Sequence, residues 1–179
     1  MQFPIKAKLK DGTPVELVLA ENDDVAAVQD LYRVIVEEGT SYPHQHPLDR
    51  EGVVDYWFRG KTTIVAYSTE DPRAEGLLGA FYLKPNWPGR ARKVANAGFI
   101  VAPACRNKGL GWLLGATMLD YARSLGYHSV IFNLVFSQNP VARALWVKLG
   151  FSDLGVIPRA VENADGTYQD AVIMFCSLK

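Results

Sequence analysis

Apolar and polar positions change period several times along this chain, and each change marks an element. Pro14-Val-Glu-Leu-Val-Leu-Ala20 alternates and predicts an edge strand. Val25, Val28, Leu31, Tyr32 and Ile35 then recur at helical spacing. Glu21-Asn-Asp-Asp24 stands before them with N-cap chemistry, so a helix is expected to run to about residue 38. A loop over 39–47 separates it from a second helix over about 48–58. Residues 62–68 and 76–83 read as strands joined by a polar turn at 69–75. A Pro/Gly-rich loop over 84–90 leads to a strand at 93–102, and these three strands are expected to form an antiparallel meander. Leu110, Leu113, Leu114, Met118, Tyr121 and Leu125 share one face of a long helix that Gly126 stops. Residues 129–136 form a continuous apolar run, the pattern of a buried parallel strand. A helix over 140–149 ends at Gly150, and strands at 151–157 and 168–178 flank a hairpin carrying Ala164-Asp-Gly166. The predicted order, β-α-α-β-β-β-α-β-α-β-β, is that of an α/β chain.

Composition narrows the function classes. At 179 residues the chain falls in the one-domain range. Lys plus Arg and Asp plus Glu each number 19, and no basic stripe appears, so nucleic acid is not an expected partner. The three histidines do not combine with cysteines in metal-ligand spacing, so no metal is expected. Cys105 and Cys176 are isolated and read as reduced thiols of a cytoplasmic protein. No window is long and apolar enough to span a bilayer, and residues 1–6 hold no signal core, so no membrane partner is expected.

The chemistry concentrates in Phe99-Ile-Val-Ala-Pro-Ala-Cys-Arg-Asn-Lys-Gly-Leu-Gly-Trp112. A strand meets a glycine loop and then a helix, whose first amides lack intrahelical partners and attract anions. Gly109 and Gly111 lack the Cβ atoms that would hold a phosphate away from them. The loop is not a nucleotide P-loop, because Lys108 precedes the glycine and Leu110 follows it. Arg-x-x-Gly-x-Gly after a strand resembles the acetyl-CoA pyrophosphate loop of the GNAT N-acetyltransferase family. Ser137-Gln-Asn-Pro-Val-Ala-Arg-Ala-Leu-Trp-Val-Lys-Leu-Gly-Phe151 is similar to that family's second hallmark, an Asn-opened helix closed by Lys-x-Gly-Phe.

The resemblance implies one N-acetyltransferase domain over 1–179, with a mixed central sheet splayed between the strands before and after the CoA-binding helix. It implies acetyl-CoA as cosubstrate and direct attack of an amine in a ternary complex. Carried over by position, it places Ile100 and Val101 along the cofactor arm, the Val101 amide serving as oxyanion donor. Arg106, Lys108, Gly109, Leu110, Gly111, Trp112 and Leu113 would hold the pyrophosphate, and Asn139 the pantetheine. Family members often dimerise, so a homodimer is part of the expectation. Cys105 reads as structural, because nothing near it in sequence would lower its pKa. The chain departs from the pattern at Trp146, where many members carry a proton-donating Tyr.

Asn96 and Asn133 stand inside strands, where Asn is depleted and costly to bury. Each either satisfies a bulge or backbone group or lines an acceptor pocket. The segments around them, with Lys84-Pro-Asn-Trp-Pro-Gly-Arg90 and Ile157-Pro-Arg159, resemble the acetyltransferases of L-azetidine-2-carboxylate and other proline analogues. That resemblance makes Asn96 and Asn133 active-site residues, with Leu134 beside them. Tyr42 lies in the loop that, by the resemblance, would shape the acceptor entrance. His44 and His46 of that loop read as solvated rather than as a base, and Glu37 and Glu38 as a solvated helix end. The expected acceptor is a small-molecule amine, an amino acid or proline analogue foremost. Protein N-termini, polyamines and a non-catalytic CoA-binding role are the alternatives.

Overall fold

The computed structural model describes residues 1–70 and 76–179, so the predicted turn at 69–75 lies largely outside the described residues. Eight strands form one sheet: β1 (Ile5–Lys8), β2 (Pro14–Leu19), β3 (Thr62–Ser68), β4 (Leu77–Pro85), β5 (Val94–Val101), β6 (Ser129–Phe136), β7 (Ser152–Glu162) and β8 (Tyr168–Ser177). Their order is β1-β2-β3-β4-β5-β6-β8-β7. Neighbours are antiparallel except β5 and β6, which run parallel. The expected meander is β3-β4-β5. β1 was not anticipated: with four residues, Ile5 and Ala7 turned partly inward and two lysines outward, it carries little pattern.

The first helix, α1 (Asp24–Glu38), buries the predicted stripe Val25, Val28, Leu31, Tyr32 and Ile35 and ends at Gly39 in a left-handed conformation. The expected second helix is split. Asp49 caps α2 (Arg50–Val53) through a bond from the Gly52 amide, and the chain then widens into a π turn over Val54–Phe58. α3 (Leu110–Ser124) follows the glycine loop, and α4 (Pro140–Lys148) follows β6.

The sheet is sandwiched. α1, α2 and the π turn pack with Val65, Ala80, Tyr82 and Ile100 on one face, and α3 packs with Ile64, Ala66, Phe81 and Ala97 on the other. Leu110, Leu114 and Met118 of α3 are fully buried, each contributing roughly 1.5–3 kcal/mol of burial. Gly115 lets α3 and α4 close together, since a Cβ there would lie 2.4 Å from Leu149 Cδ1.

Two irregularities position the site. β5 and β6 pair only at Val94 with Ser129 and Ala95 with Val130, and then diverge. Farther along, β6 carries a bulge, because its register with β8 jumps between Phe132 and Val135. The residues spanning that jump are Asn133 and Leu134.

Candidate active site

The phase of β5 follows from its pairing with β4. Asn86 N donates to Val94 O, and Ala102 N donates to Leu78 O, with unbroken register between. Antiparallel pairing alternates, so the peptide groups of residues 96, 98 and 100 face β4, and those of Ala97, Phe99 and Val101 face the gap toward β6. The Val101 amide therefore faces the gap between β5 and β6. Ile100 is a correction: its main chain faces β4 and its side chain, 2% exposed, belongs to the core. The Phe99 carbonyl accepts a bond from Tyr42 Oη at 2.9 Å, tying the 39–47 loop to the splayed strand.

Asn96 stands one residue past the last parallel pair. It is 8% exposed, and its Nδ2 donates to Ile131 O at 2.9 Å across the divergence. Asn133 is exposed on the bulge, its Nδ2 donating to Asn86 Oδ1 at 2.7 Å. Each thus satisfies a local partner, and both also line one cavity of about 330 Å³. Tyr42, Leu134 and Asn139 share its wall, so the structure brings together every acceptor-site residue expected from sequence. Sequence reasoning missed Tyr56, Tyr82 and Lys84, which also line it. Among its described lining residues Lys84 is the one charged side chain.

At the glycine loop, Gly109 has φ +94° and leads into α3. A Cβ there would sit 3.4 Å from Lys10 Cγ, and the backbone conformation itself favours glycine. At Gly111 a Cβ would meet Leu145 Cδ2 of α4 at 3.3 Å, so the glycine also eases the packing of α3 on α4. The amides of Leu110, Gly111 and Trp112 occupy the first turn, where no intrahelical carbonyl reaches them. Leu113 is a second correction, because its amide already donates to Gly109 O at 3.0 Å. Leu110 contributes its amide alone, its side chain being fully buried.

The loop cations are held by carboxylates. Arg106 Nη2 lies 2.6 Å from Glu38 Oε2, so Glu38, exposed at the helix end as expected from sequence, is also ion-paired. Lys108 Nζ lies 2.9 Å from Asp11 Oδ2, and that bond, with those from Thr13, holds the Asp11 carboxyl down at about 2. Asn139 caps α4, accepting from Ala142 N at 3.0 Å and donating to Thr40 O at 3.3 Å. Trp146 packs against Phe99, Phe132 and Phe151 and supplies no acid. Cys105 is buried in the core.

The tyrosines of the pocket form a cluster. Tyr32 stacks on Tyr56 with ring centroids 5.6 Å apart, and Tyr56 meets Tyr82 at 6.0 Å. Burial pushes the phenols of Tyr32, Tyr42, Tyr56 and Tyr82 up, so they stay neutral. His44 is half-buried, with Nδ1 2.6 Å from Tyr32 Oη, which corrects its reading as a solvated histidine. Burial pushes the His44 imidazole below its usual value. His46 is exposed, as expected.

The residues fit acetyl-CoA. Trp112, Gly111 and Leu110 offer a first-turn amide cradle for its pyrophosphate, and the divergence beside Phe99 and Val101 offers unzipped peptide groups for its pantetheine arm. Among the described residues no His/Cys/Asp/Glu group could hold a metal, and no helix is long and apolar enough to cross a membrane.

Comparisons with known proteins agree with this geometry. The model of the Acetyltransferase (GNAT) family matches residues 26–151. The N-acetyltransferase aca1 of Schizosaccharomyces pombe is 37% identical over 152 residues, which cover 77% of this chain and 72% of that protein. The structure of a GCN5-related N-acetyltransferase from Kribbella flavida is 31% identical, with a TM-score of 0.83, covering 91% of this chain and 97% of that one. A phosphinothricin acetyltransferase from Sinorhizobium meliloti, solved in complex with acetyl-CoA, shares the fold at a TM-score of 0.81 and 20% identity, covering 91% and 88% of the two chains.

Proposed function

The chain belongs to the Acetyltransferase (GNAT) family and is an acetyl-CoA-dependent N-acetyltransferase, and on that premise we propose that its acceptor is a small amine bearing a carboxylate, a proline analogue such as azetidine-2-carboxylate foremost. The observation that carries this reading is the single cavity lined by Asn96, Asn133 and Lys84. Its volume, about 330 Å³, suits a small molecule. Its one charged lining residue among those described is a cation, which attracts a carboxylate and repels a polyamine.

Each residue has a task in that reading. Lys84, paired in register with Asn96, receives the carboxylate. Asn96 spends Nδ2 on Ile131 and keeps Oδ1 to accept from the acceptor's N–H. Asn133 and Asn86, bonded to each other, orient the far side of the molecule. Bound acetyl-CoA supplies the acetyl thioester. The Leu110, Gly111 and Trp112 amides would cradle its pyrophosphate, flanked by Arg106 and Lys108, which would have to exchange their Glu38 and Asp11 partners to reach it. Asn139 meets the pantetheine. The Val101 amide stabilises negative charge developing on the acetyl oxygen. Trp146 excludes water and donates no proton, and a thiol of pKa about 8.5 leaves without an acid.

The test is acetyl-CoA consumption with azetidine-2-carboxylate, proline, primary amino acids, polyamines and short peptides, with products identified by mass. Acetylation confined to carboxylate-bearing small amines is expected. Lys84→Met should raise KM for them while leaving acetyl-CoA affinity unchanged. Preference for polyamines or peptides would overturn the reading.

A further inference from the structure

We propose that Lys10, in the turn between β1 and β2, is a further cofactor-binding residue whose ammonium pairs with the pyrophosphate of acetyl-CoA. The inference rests on the placement of that pyrophosphate at the Leu110, Gly111 and Trp112 amides, and is independent of which amine is acetylated.

The turn is fastened to the glycine loop from the far end of the sequence. Lys10 N donates to Lys108 O at 2.9 Å. Leu9, beside it, is buried in the core. The turn closes on itself, Leu9 N donating to Thr13 O at 2.9 Å and Gly12 N to Leu9 O at 3.0 Å. The Lys10 stem lies along the loop: a Cβ at Gly109 would be 3.4 Å from its Cγ, 3.6 Å from its Cε and 3.8 Å from its Cδ. Three carbons at nearly one distance from one point describe a stem laid flat across Gly109. Nζ is one bond beyond Cε, and so stands beside the glycine that leads into α3. Lys10 is exposed, so its ammonium meets solvent, where an incoming anion arrives.

The charges around the loop single this residue out. Arg106 is paired with Glu38 and Lys108 with Asp11. The other Asp11 oxygen accepts from the Thr13 amide at 3.1 Å, so the one carboxylate of the turn is committed. Among the described residues no carboxylate pairs with Lys10. An unpaired ammonium beside a helix N-terminus is unfavourable on its own, because the first-turn amides already carry partial positive charge. An anion shared between those amides and the ammonium reverses the sign of that interaction. Arg106 and Lys108 must part from their carboxylates to meet such an anion, whereas Lys10 gives up only water. Its stem already rests on the loop, so little rotamer freedom is lost when the phosphate arrives.

The test is calorimetric binding of CoA and of dephospho-CoA, without acceptor, to wild type, Lys10→Met and Lys10→Arg. Dephospho-CoA lacks the 3′-phosphate and keeps the pyrophosphate. Methionine keeps an apolar stem over Gly109 and removes the charge. Lys10→Met should bind both ligands roughly fivefold to tenfold more weakly, the scale of one solvent-exposed charge beside a phosphate. That loss should shrink at about 0.5 M salt, and Lys10→Arg should stay within about twofold of wild type. An unchanged urea midpoint shows that the variants fold, as expected at an exposed position. The amide NMR signals of Leu110, Gly111 and Trp112, followed as CoA is added, separate the two readings. If they shift and Lys10→Met binds as wild type does, the assignment of Lys10 alone is overturned. If they do not shift, the pyrophosphate lies elsewhere and both readings fall. A loss seen with CoA and absent with dephospho-CoA would put Lys10 at the 3′-phosphate and overturn its assignment to the pyrophosphate.

Discussion

Gly98 is the most constrained position of the pocket floor, and Gly98→Ala should expose the constraint. A Cβ at this residue would lie 2.5 Å from Tyr82 Cε1 and 2.7 Å from Cζ. An ordinary carbon contact is about 3.5 Å, so the ring must retreat by about 1 Å. Trp57, edge-on at 5.2 Å, and Tyr56, at 6.0 Å, stand around that ring. Overpacking of this kind costs about 1–3 kcal/mol. Against it, alanine in an extended strand is favoured over glycine by roughly 0.5–1 kcal/mol. The net expectation is a loss of about 1–2 kcal/mol, read as a lowered urea midpoint at unchanged slope. In a Tyr82→Leu background the ring is gone, and the same substitution should become neutral or stabilising by about 0.5 kcal/mol. An equal loss in both backgrounds would refute the reasoning, because the penalty would then not arise from Tyr82.

Asn96→Ala should cost about 1–3 kcal/mol, since it leaves the buried Ile131 carbonyl without its partner, whereas Asn133→Ala, on the exposed bulge, should stay within about 0.5 kcal/mol. Denaturant titration of the two variants decides, and equal effects would contradict the geometry. Alkaline stability follows from the buried phenols. An unfolded tyrosine ionises near pH 10 while Tyr32 and Tyr82 keep their protons, so the unfolded chain binds fewer protons and stability falls as pH rises. Each contributes a slope of about 1.4 kcal/mol per pH unit above pH 10, and Tyr82→Phe should remove one such share. Urea titrations between pH 9 and 11 with no such difference would refute the assignment.

What could be read from sequence was what local pattern controls. The α1 stripe, the β3-β4-β5 meander, the apolar run of β6 and the glycine stops at 126 and 150 are each written within a few residues of where they act. The rest depends on partners far along the chain. Ile100 and Val101 are indistinguishable until Leu78 fixes which of them turns its amide to β4. Leu113 drops out of the anion cradle only because α3 starts at Leu110, making Gly109 its acceptor. Glu38 meets Arg106 across 68 residues, a pairing that no periodicity announces. The tyrosines show the same limit from the other side. Tyr32 lies on the predicted apolar stripe, where its ring is core, but the direction of its hydroxyl is set by a loop histidine.

The gap that makes the site is held open by residues that would count against a strand. A parallel pair continues while each strand offers its next peptide group to the other, and β5 and β6 stop doing so after Ala95 and Val130. At the next position Asn96 inserts a side-chain amide and takes the Ile131 carbonyl for itself. That carbonyl is thus satisfied without β5 coming closer, and the peptide groups of Ala97, Phe99 and Val101 are left facing the divergence. Two residues beyond Ile131, the bulge at Asn133 and Leu134 changes the register of β6 against β8 and carries Asn133 to the cavity. A valine at 96 would have the better strand propensity and no means of holding Ile131 at that distance. The buried polar side chain is therefore both the staple of the splay and a wall of the pocket the splay creates. Loss of stability and loss of acceptor binding should appear together at Asn96 and separately at Asn133.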